Sequence, residues 1–239
     1  MCAFLSDSTV FIFQEILKQY KISYKITTTK KNNLIETKKK LGSMTNTEQT
    51  ISIIGLGNWG NDYVKTRHNF GFIFCDFIAE KIGEKFKDIK FGIYFETNIE
   101  GKKVFVFKGK TFMNLSGETA KKFLDKFNLW KSQIIICHDD LDIPFGMIKI
   151  KKNGGTGGHK GIESIIEHIG VNNIRFRFGI GRPEKPQDIA EYVLSKFSHE
   201  ELASLNQILE TGFSALITLV KEGVDKAMSL FNNRKIYHL

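Results

Sequence analysis

Four stretches of this 239-residue chain hold residue types that can do chemistry. Thr66-Arg67-His68-Asn69 places a histidine just ahead of an apolar helical stripe, where it can act as a general base near neutral pH. A lone histidine there serves equally as a cap or a surface group. His138-Asp139-Asp140-Leu141-Asp142 follows a buried apolar run. Ligands in α/β sheets bind beyond the carboxyl ends of strands, so these acids can hold a hard cation or orient a histidine. No H-E-x-x-H or similar ligand spacing accompanies them, which weakens the cation reading. Gly55-Leu56-Gly57-Asn58-Trp59-Gly60 fits the G-x-G-x-x-G pattern of dinucleotide sites. Nine residues separate it from the next helical stripe, however, and no acid ends a second strand about twenty residues on. Lys149-Ile150-Lys151-Lys152-Asn153-Gly154-Gly155-Thr156-Gly157-Gly158-His159-Lys160-Gly161 alternates lysines and then opens a helix through glycines. Such a helix start lets backbone approach an anion, but the G-K-[ST] ending of a nucleotide P-loop is missing.

The elements that must position these groups alternate between strand and helix. Ile51–Ile54 reads as a buried strand, and residues 69–83 as a helix with Asn69 as N-cap and Gly83 at its end. Phe91–Thr97 and Lys103–Phe107 flank Glu100-Gly101 as a hairpin. Ser116 suits a cap for the helix carrying Ala120, Phe123, Leu124 and Phe127. Ile134–Cys137, Met147–Lys151 and Arg175–Ile180 read as strands, with a helical stripe at Ile162, Ile165, Ile166 and Ile169 between the last two. Ser198 with Glu201 makes a capping box for a long helix through Val220, and a short helix follows from Val224. The pattern predicts a single α/β domain over residues 50–239, with a mixed, mostly parallel central sheet flanked by helices.

Composition limits the partners. The chain is 41% hydrophobic and 26% charged, as in folded soluble chains, and no apolar run reaches the ~20 residues needed to span a bilayer. Cys2, Cys75 and Cys137 are too few and too irregular for a disulfide framework or a cysteine zinc site, which fits a reducing compartment. The net charge of +9 suits a polyanionic partner. More than half of that excess lies in residues 1–47, which read as part of a basic N-terminal extension (residues 1–49): a disordered tail, an over-long gene start before Met44, or an organelle presequence.

Taken together, Gly55-Leu56-Gly57-Asn58, Tyr63, Thr66-Arg67-His68-Asn69, Thr111-Phe112-Met113-Asn114-Leu115-Ser116-Gly117, His138-Asp139-Asp140-Leu141-Asp142 and Gly154-Gly155-Thr156-Gly157-Gly158-His159 stand in the order and spacing of bacterial-type peptidyl-tRNA hydrolases. The resemblance runs from about Ile51 to the C-terminal helices. It implies a monomeric, cytoplasmic enzyme, or an organellar one if the extension is a presequence. Such an enzyme cleaves the ester between a peptide and the 3′-terminal ribose of tRNA, and so recycles tRNA from abandoned translation. It uses no metal or other cofactor, no membrane and no obligate protein partner. By the same resemblance His68 is the general base, oriented by Asp139, while Asn114 orients water or steadies the oxyanion. Asn58 reads the peptide group beside the ester, and Tyr63 and Phe112 contact the tRNA 3′ end. Lys149 and Lys151 clamp the tRNA 5′-phosphate, with Arg177 as a further basic contact. Lys160 stands where the family has an asparagine that touches the tRNA 3′ region, and Trp59 replaces its usual proline. Two other readings stay open on the residues alone: a nicotinamide-dependent oxidoreductase built on the glycine motif, and an RNA-binding module built on the lysine hairpin.

Overall fold

A computed structural model describes residues 50–183 and 189–232. The N-terminal extension lies outside the described residues. The described domain is built on a seven-stranded sheet in the order β2-β3-β4-β1-β5-β7-β6. Its strands are β1 (Ile51–Gly55), β2 (Lys87–Ile89), β3 (Gly92–Ile99), β4 (Lys102–Gly109), β5 (Gln133–Asp140), β6 (Ile148–Lys152) and β7 (Ile174–Gly179). The sheet is mixed. Its centre is parallel, β1 pairing with β4 and β5, and β5 with β7. Antiparallel pairs close both edges, β2–β3–β4 on one side and β6–β7 on the other.

Strand alternation sends successive residues to opposite faces, and both faces here are apolar. On one face Ile51, Ile53, Val104, Val106, Ile135 and Cys137 meet α1 (Phe70–Ile82), α5 (His199–Glu222) and α6 (Val224–Phe231). On the other, Ile54, Phe105, Phe107, Ile134 and Ile136 meet α2 (Ser116–Phe127) and α3 (Lys160–Ile169). A short helix α4 (Ile189–Leu194) precedes α5. Aromatic stacking ties the first face together: Phe70 lies 4.6 Å from Phe178, and Phe74 5.4 Å from Phe176, between ring centroids.

Glu100 and Gly101 take the positive φ values, 52° and 77°, of the tight β3–β4 hairpin. Gly83 ends α1 in the left-handed conformation, and Ser198 with Glu201 forms the complete capping box of α5. Asn69 does not cap α1; its side chain is claimed by a tertiary contact described below. Ser116 is not a cap either. It is the first residue of α2, and its hydroxyl donates to the Met113 carbonyl at 2.7 Å. β5 runs on through Asp140, so His138 and Asp139 sit on the strand end rather than in a loop.

Candidate active site

Three side chains meet at the carboxyl end of β5. Asp139, buried there, accepts from His68 Nδ1 at 3.0 and 3.1 Å and from His159 Nε2 at 3.0 Å. A carboxylate can only accept, so His68 carries its proton on Nδ1 and its Nε2 lone pair is bare. Burial of the His68 ring disfavours its charge, but the Asp139 carboxylate and its hydrogen bond outweigh that, leaving the pKa above the ordinary value. Burial would raise the Asp139 pKa, yet the two imidazoles hold it well below the usual carboxylate range. His138, one residue earlier on the strand, also lines this end and lies 5.0 Å from His159 between ring centroids. Its Nδ1–H donates to the Asp139 carbonyl at 2.6 Å, and burial, reinforced by the neighbouring His159, keeps its ring neutral.

His68 is held from two sides. It lies in a 3₁₀ turn, Arg67–Asn69, that leads into α1. The turn comes close to the strand ends because residue 71 is glycine: a Cβ there would lie 2.2 Å from the Cys137 carbonyl oxygen. Arg67 anchors the turn to the α4–α5 junction, donating to the Lys196 carbonyl at 2.8 Å and to Glu201 at 2.6 Å, with its guanidinium 4.5 Å from the Tyr192 ring centre. On the other side, Asn69 accepts from the Asn58 N–H at 2.8 Å and donates to the Asn58 carbonyl at 2.9 Å.

Asn58 in turn accepts at Oδ1 from the Met113 N–H at 2.8 Å, so its free end is the Nδ2 amide, a donor. That bond ties Asn58 to the 3₁₀ turn Met113–Leu115, where Asn114 lies exposed. Tyr63 and Phe112 meet edge to face at 6.5 Å, with Phe112 largely exposed. Trp59 makes a bond its usual counterpart proline lacks the hydrogen for: its N–H donates to the Thr111 carbonyl at 2.9 Å.

A cavity of about 450 Å³ opens beside the histidines. His68, Asp139, Lys151, Lys160, Arg175 and Arg177 are among the residues that line it. Register explains the basic wall: Lys149 faces Arg177 and Lys151 faces Arg175 across β6 and β7, all on the sheet face opposite Ile148, Ile150, Phe176 and Phe178. Lys149 is not among the lining residues. Arg177 is paired with Asp140 at 3.1 Å, and Lys160 with Glu163 of its own helix at 3.0 Å. The acids after Asp139 are therefore partnered by arginines, since Asp142 pairs with Arg182 at 2.7 Å. Arg175 is buried with no hydrogen-bond acceptor among the described residues, and burial lowers its pKa to about 10. The glycine-rich loop takes positive φ at Asn153, Gly154, Gly157 and Gly158 on its way to α3.

One potential ligand atom from each of His68, Asp139 and His159 lies within 4.8 Å of the other two, a donor set that suits a metal ion by type. Their hydrogen bonds arrange them otherwise. His159 Nδ1 accepts from the backbone N–H of Gly161 and Ile162 at 3.1 and 3.3 Å. Its proton is thus on Nε2, facing Asp139, and no lone pair points inward.

The peptidyl-tRNA hydrolase family model matches residues 52–238. The chain belongs to the peptidyl-tRNA hydrolase family. The peptidyl-tRNA hydrolase of Thermodesulfovibrio yellowstonii is 44% identical over 186 residues, covering 76% of this chain and 98% of the relative. That of Desulfitobacterium hafniense is 41% identical over 181 residues, covering 75% and 98%. A solved structure of the Acinetobacter baumannii peptidyl-tRNA hydrolase superposes with a TM-score of 0.70 at 36% identity, covering 80% of this chain and 98% of that one. The oxidoreductase reading falls with these matches: β1 is followed by 3₁₀ turns and not by a helix opening on the glycines.

Sequence reasoning missed three residues that shape the site. In the sequence His159 stands only as the end of a glycine-rich motif, Asn69 as a motif residue and N-cap candidate, and Arg175 as part of a strand. For His159 a signal existed: a histidine directly ahead of a helix is placed to bind the free backbone N–H groups.

Proposed function

We propose that this protein hydrolyses the ester of peptidyl-tRNA by general-base catalysis, with His68 as the base. The observation that carries the reading is the His68–Asp139 pair, in which the only lone pair left on the imidazole is the one free to take a proton from water. The water adds to the ester carbonyl, and the proton held on His68 then passes to the departing ribose oxygen. Asp139 steadies the imidazolium in between. Asn58, with its oxygen committed to Met113, offers only N–H to the substrate and so suits a carbonyl of the peptide. Asn114, exposed beside it, is the oxyanion or water partner. Tyr63 and Phe112 offer faces for the unpaired 3′ bases.

The basic sheet face that carries Lys149, Lys151 and Arg177 receives tRNA phosphate, a contact that sets position and affinity rather than chemistry. The enzyme acts as a monomer, needs no cofactor, and works where translation occurs, in the cytoplasm or an organelle matrix. Among the described residues no helix is long and apolar enough to cross a membrane, and Cys75 and Cys137 are free. The domain begins at about residue 50, and a chain starting at Met44 retains the activity. The deciding experiment incubates the protein with labelled N-acyl-aminoacyl-tRNA and with the free-amine form. Release from the first alone is expected; release from neither, in a folded protein that binds tRNA, would leave an RNA-binding module.

A further inference from the structure

His159 binds two things at once. Its Nδ1 accepts from two backbone N–H groups at the start of α3, and its Nε2–H donates to the same Asp139 oxygen that His68 approaches at 3.1 Å. The His68 and His159 rings lie 4.8 Å apart, and both are largely buried. The helix fixes the tautomer. Both ring nitrogens are thereby committed, Nδ1 to the helix start and Nε2–H to Asp139, so His159 has no free lone pair with which to act as a rival base.

We propose that His159 is a positioning residue that shares Asp139 with His68: pinned in one tautomer by the helix start, it fixes the carboxylate's orientation and takes up part of its charge, limiting how tightly Asp139 holds a proton on His68. The consequence is kinetic. A carboxylate serving one imidazole favours imidazolium more strongly than one whose charge is divided between two donors. At neutral pH too strong a preference would leave the base already protonated.

The other charged groups that face this site are compensated or common to every variant considered. Asp140 on β5 is paired with Arg177 of β7, Arg67 of the 3₁₀ turn with Glu201, and Lys160 of α3 with Glu163. Asp142 is paired with Arg182. Lys151 on β6 and Arg175 on β7 lie along the cavity wall, and His138 is neutral.

Two substitutions separate the two jobs. Asparagine is a good N-cap but too short to reach Asp139. Glutamine can place an amide N–H where Nε2 stands, and Asp139 accepts only, but it lacks the capping atom. In the full chain, His159→Asn should keep the thermal midpoint near wild type and move the His68 titration upward by about half a pH unit or more. His159→Gln should lower the thermal midpoint and leave the titration near wild type. The readout is the His68 ring Cε1–H shift followed by NMR against pH, paired with the acid limb of kcat/KM. The proposal rests on His68 being the catalytic base. The NMR titration needs no substrate, so a failure of that reading shows only in the kinetics. If His159→Asn titrates at the wild-type pH, or if both variants lose thermal stability and neither moves the titration, His159 is a helix cap alone and the proposal is wrong.

Discussion

Asp139 and Arg175 are both buried charges, 1% and 2% exposed, on the neighbouring strands β5 and β7. Asp139 accepts from two imidazoles; Arg175 has no hydrogen-bond acceptor among the described residues. A buried ion is stable when its partners replace water, and costly otherwise. The buried carboxylate of the proposed catalytic half is therefore satisfied and preorganised within the protein, as a group that must hold a proton-transfer geometry has to be. The basic half keeps hydrogen-bonding capacity in reserve. This is the division expected when one end of a site does chemistry and the other takes hold of a polyanion.

The hardest blow to the catalytic half is His68→Ala. Turnover should fall ~10²–10⁴-fold while tRNA affinity holds. Single-turnover hydrolysis alongside equilibrium binding checks it, and activity within threefold of wild type would remove His68 from the mechanism.

Asp139→Asn comes next, because the amide keeps a polar side chain in place but not the charge. Turnover should fall about tenfold or more. The pH profile carries the sharper sign. His68 now titrates above its ordinary value of 6.5 because of Asp139, so wild-type kcat/KM should climb as pH rises through a midpoint above 6.5. Without the carboxylate, burial is left to act alone, and the midpoint should move to lower pH. An acid limb that stays in place would show that Asp139 does not govern His68.

How much of this was legible in the sequence follows the same division. The hairpin at Glu100-Gly101 and the Ser198–Glu201 box depend on neighbours in the chain, and both formed as read. The His68–Asp139 pair is set by contacts 71 residues apart and came from resemblance, not spacing. Asn69 departs from the expected N-cap role because that local preference loses to a tertiary bond with Asn58. Arg175 and Arg177 alternate with apolar residues along a strand. Nothing in the residues themselves says that one of the pair would be buried beside the cavity and the other paired to Asp140.

The basic half should break differently. Lys149→Ala with Lys151→Ala should weaken tRNA binding and reduce the steepness of its salt dependence by roughly one to two, since each phosphate neutralised releases about one counterion. Hydrolysis of a short N-acyl-aminoacyl oligonucleotide, too short to reach this wall, should be nearly intact. Equal losses on both substrates would move these lysines into the catalytic half and erase the distinction.

The smallest expected effect is at Lys160, which lies between the halves. It lines the cavity, yet its ammonium is exposed and paired with Glu163 one turn along α3. An exposed pair of this kind is worth only ~0.2–1 kcal/mol, so a phosphate at the acceptor end can take the lysine from it. A lysine near a helix start, where positive charge is mildly unfavourable, fits such a use. Lys160→Asn, which restores the residue usual in the family, should then flatten the salt dependence of tRNA binding by at most about one unit and keep turnover within about tenfold. Glu163→Gln should act in the opposite direction, freeing the lysine and tightening binding at low salt. Opposite signs from the two substitutions would place Lys160 with the basic half. If neither changes the salt slope, the ammonium belongs to Glu163 alone and the basic half ends at the glycine-rich loop.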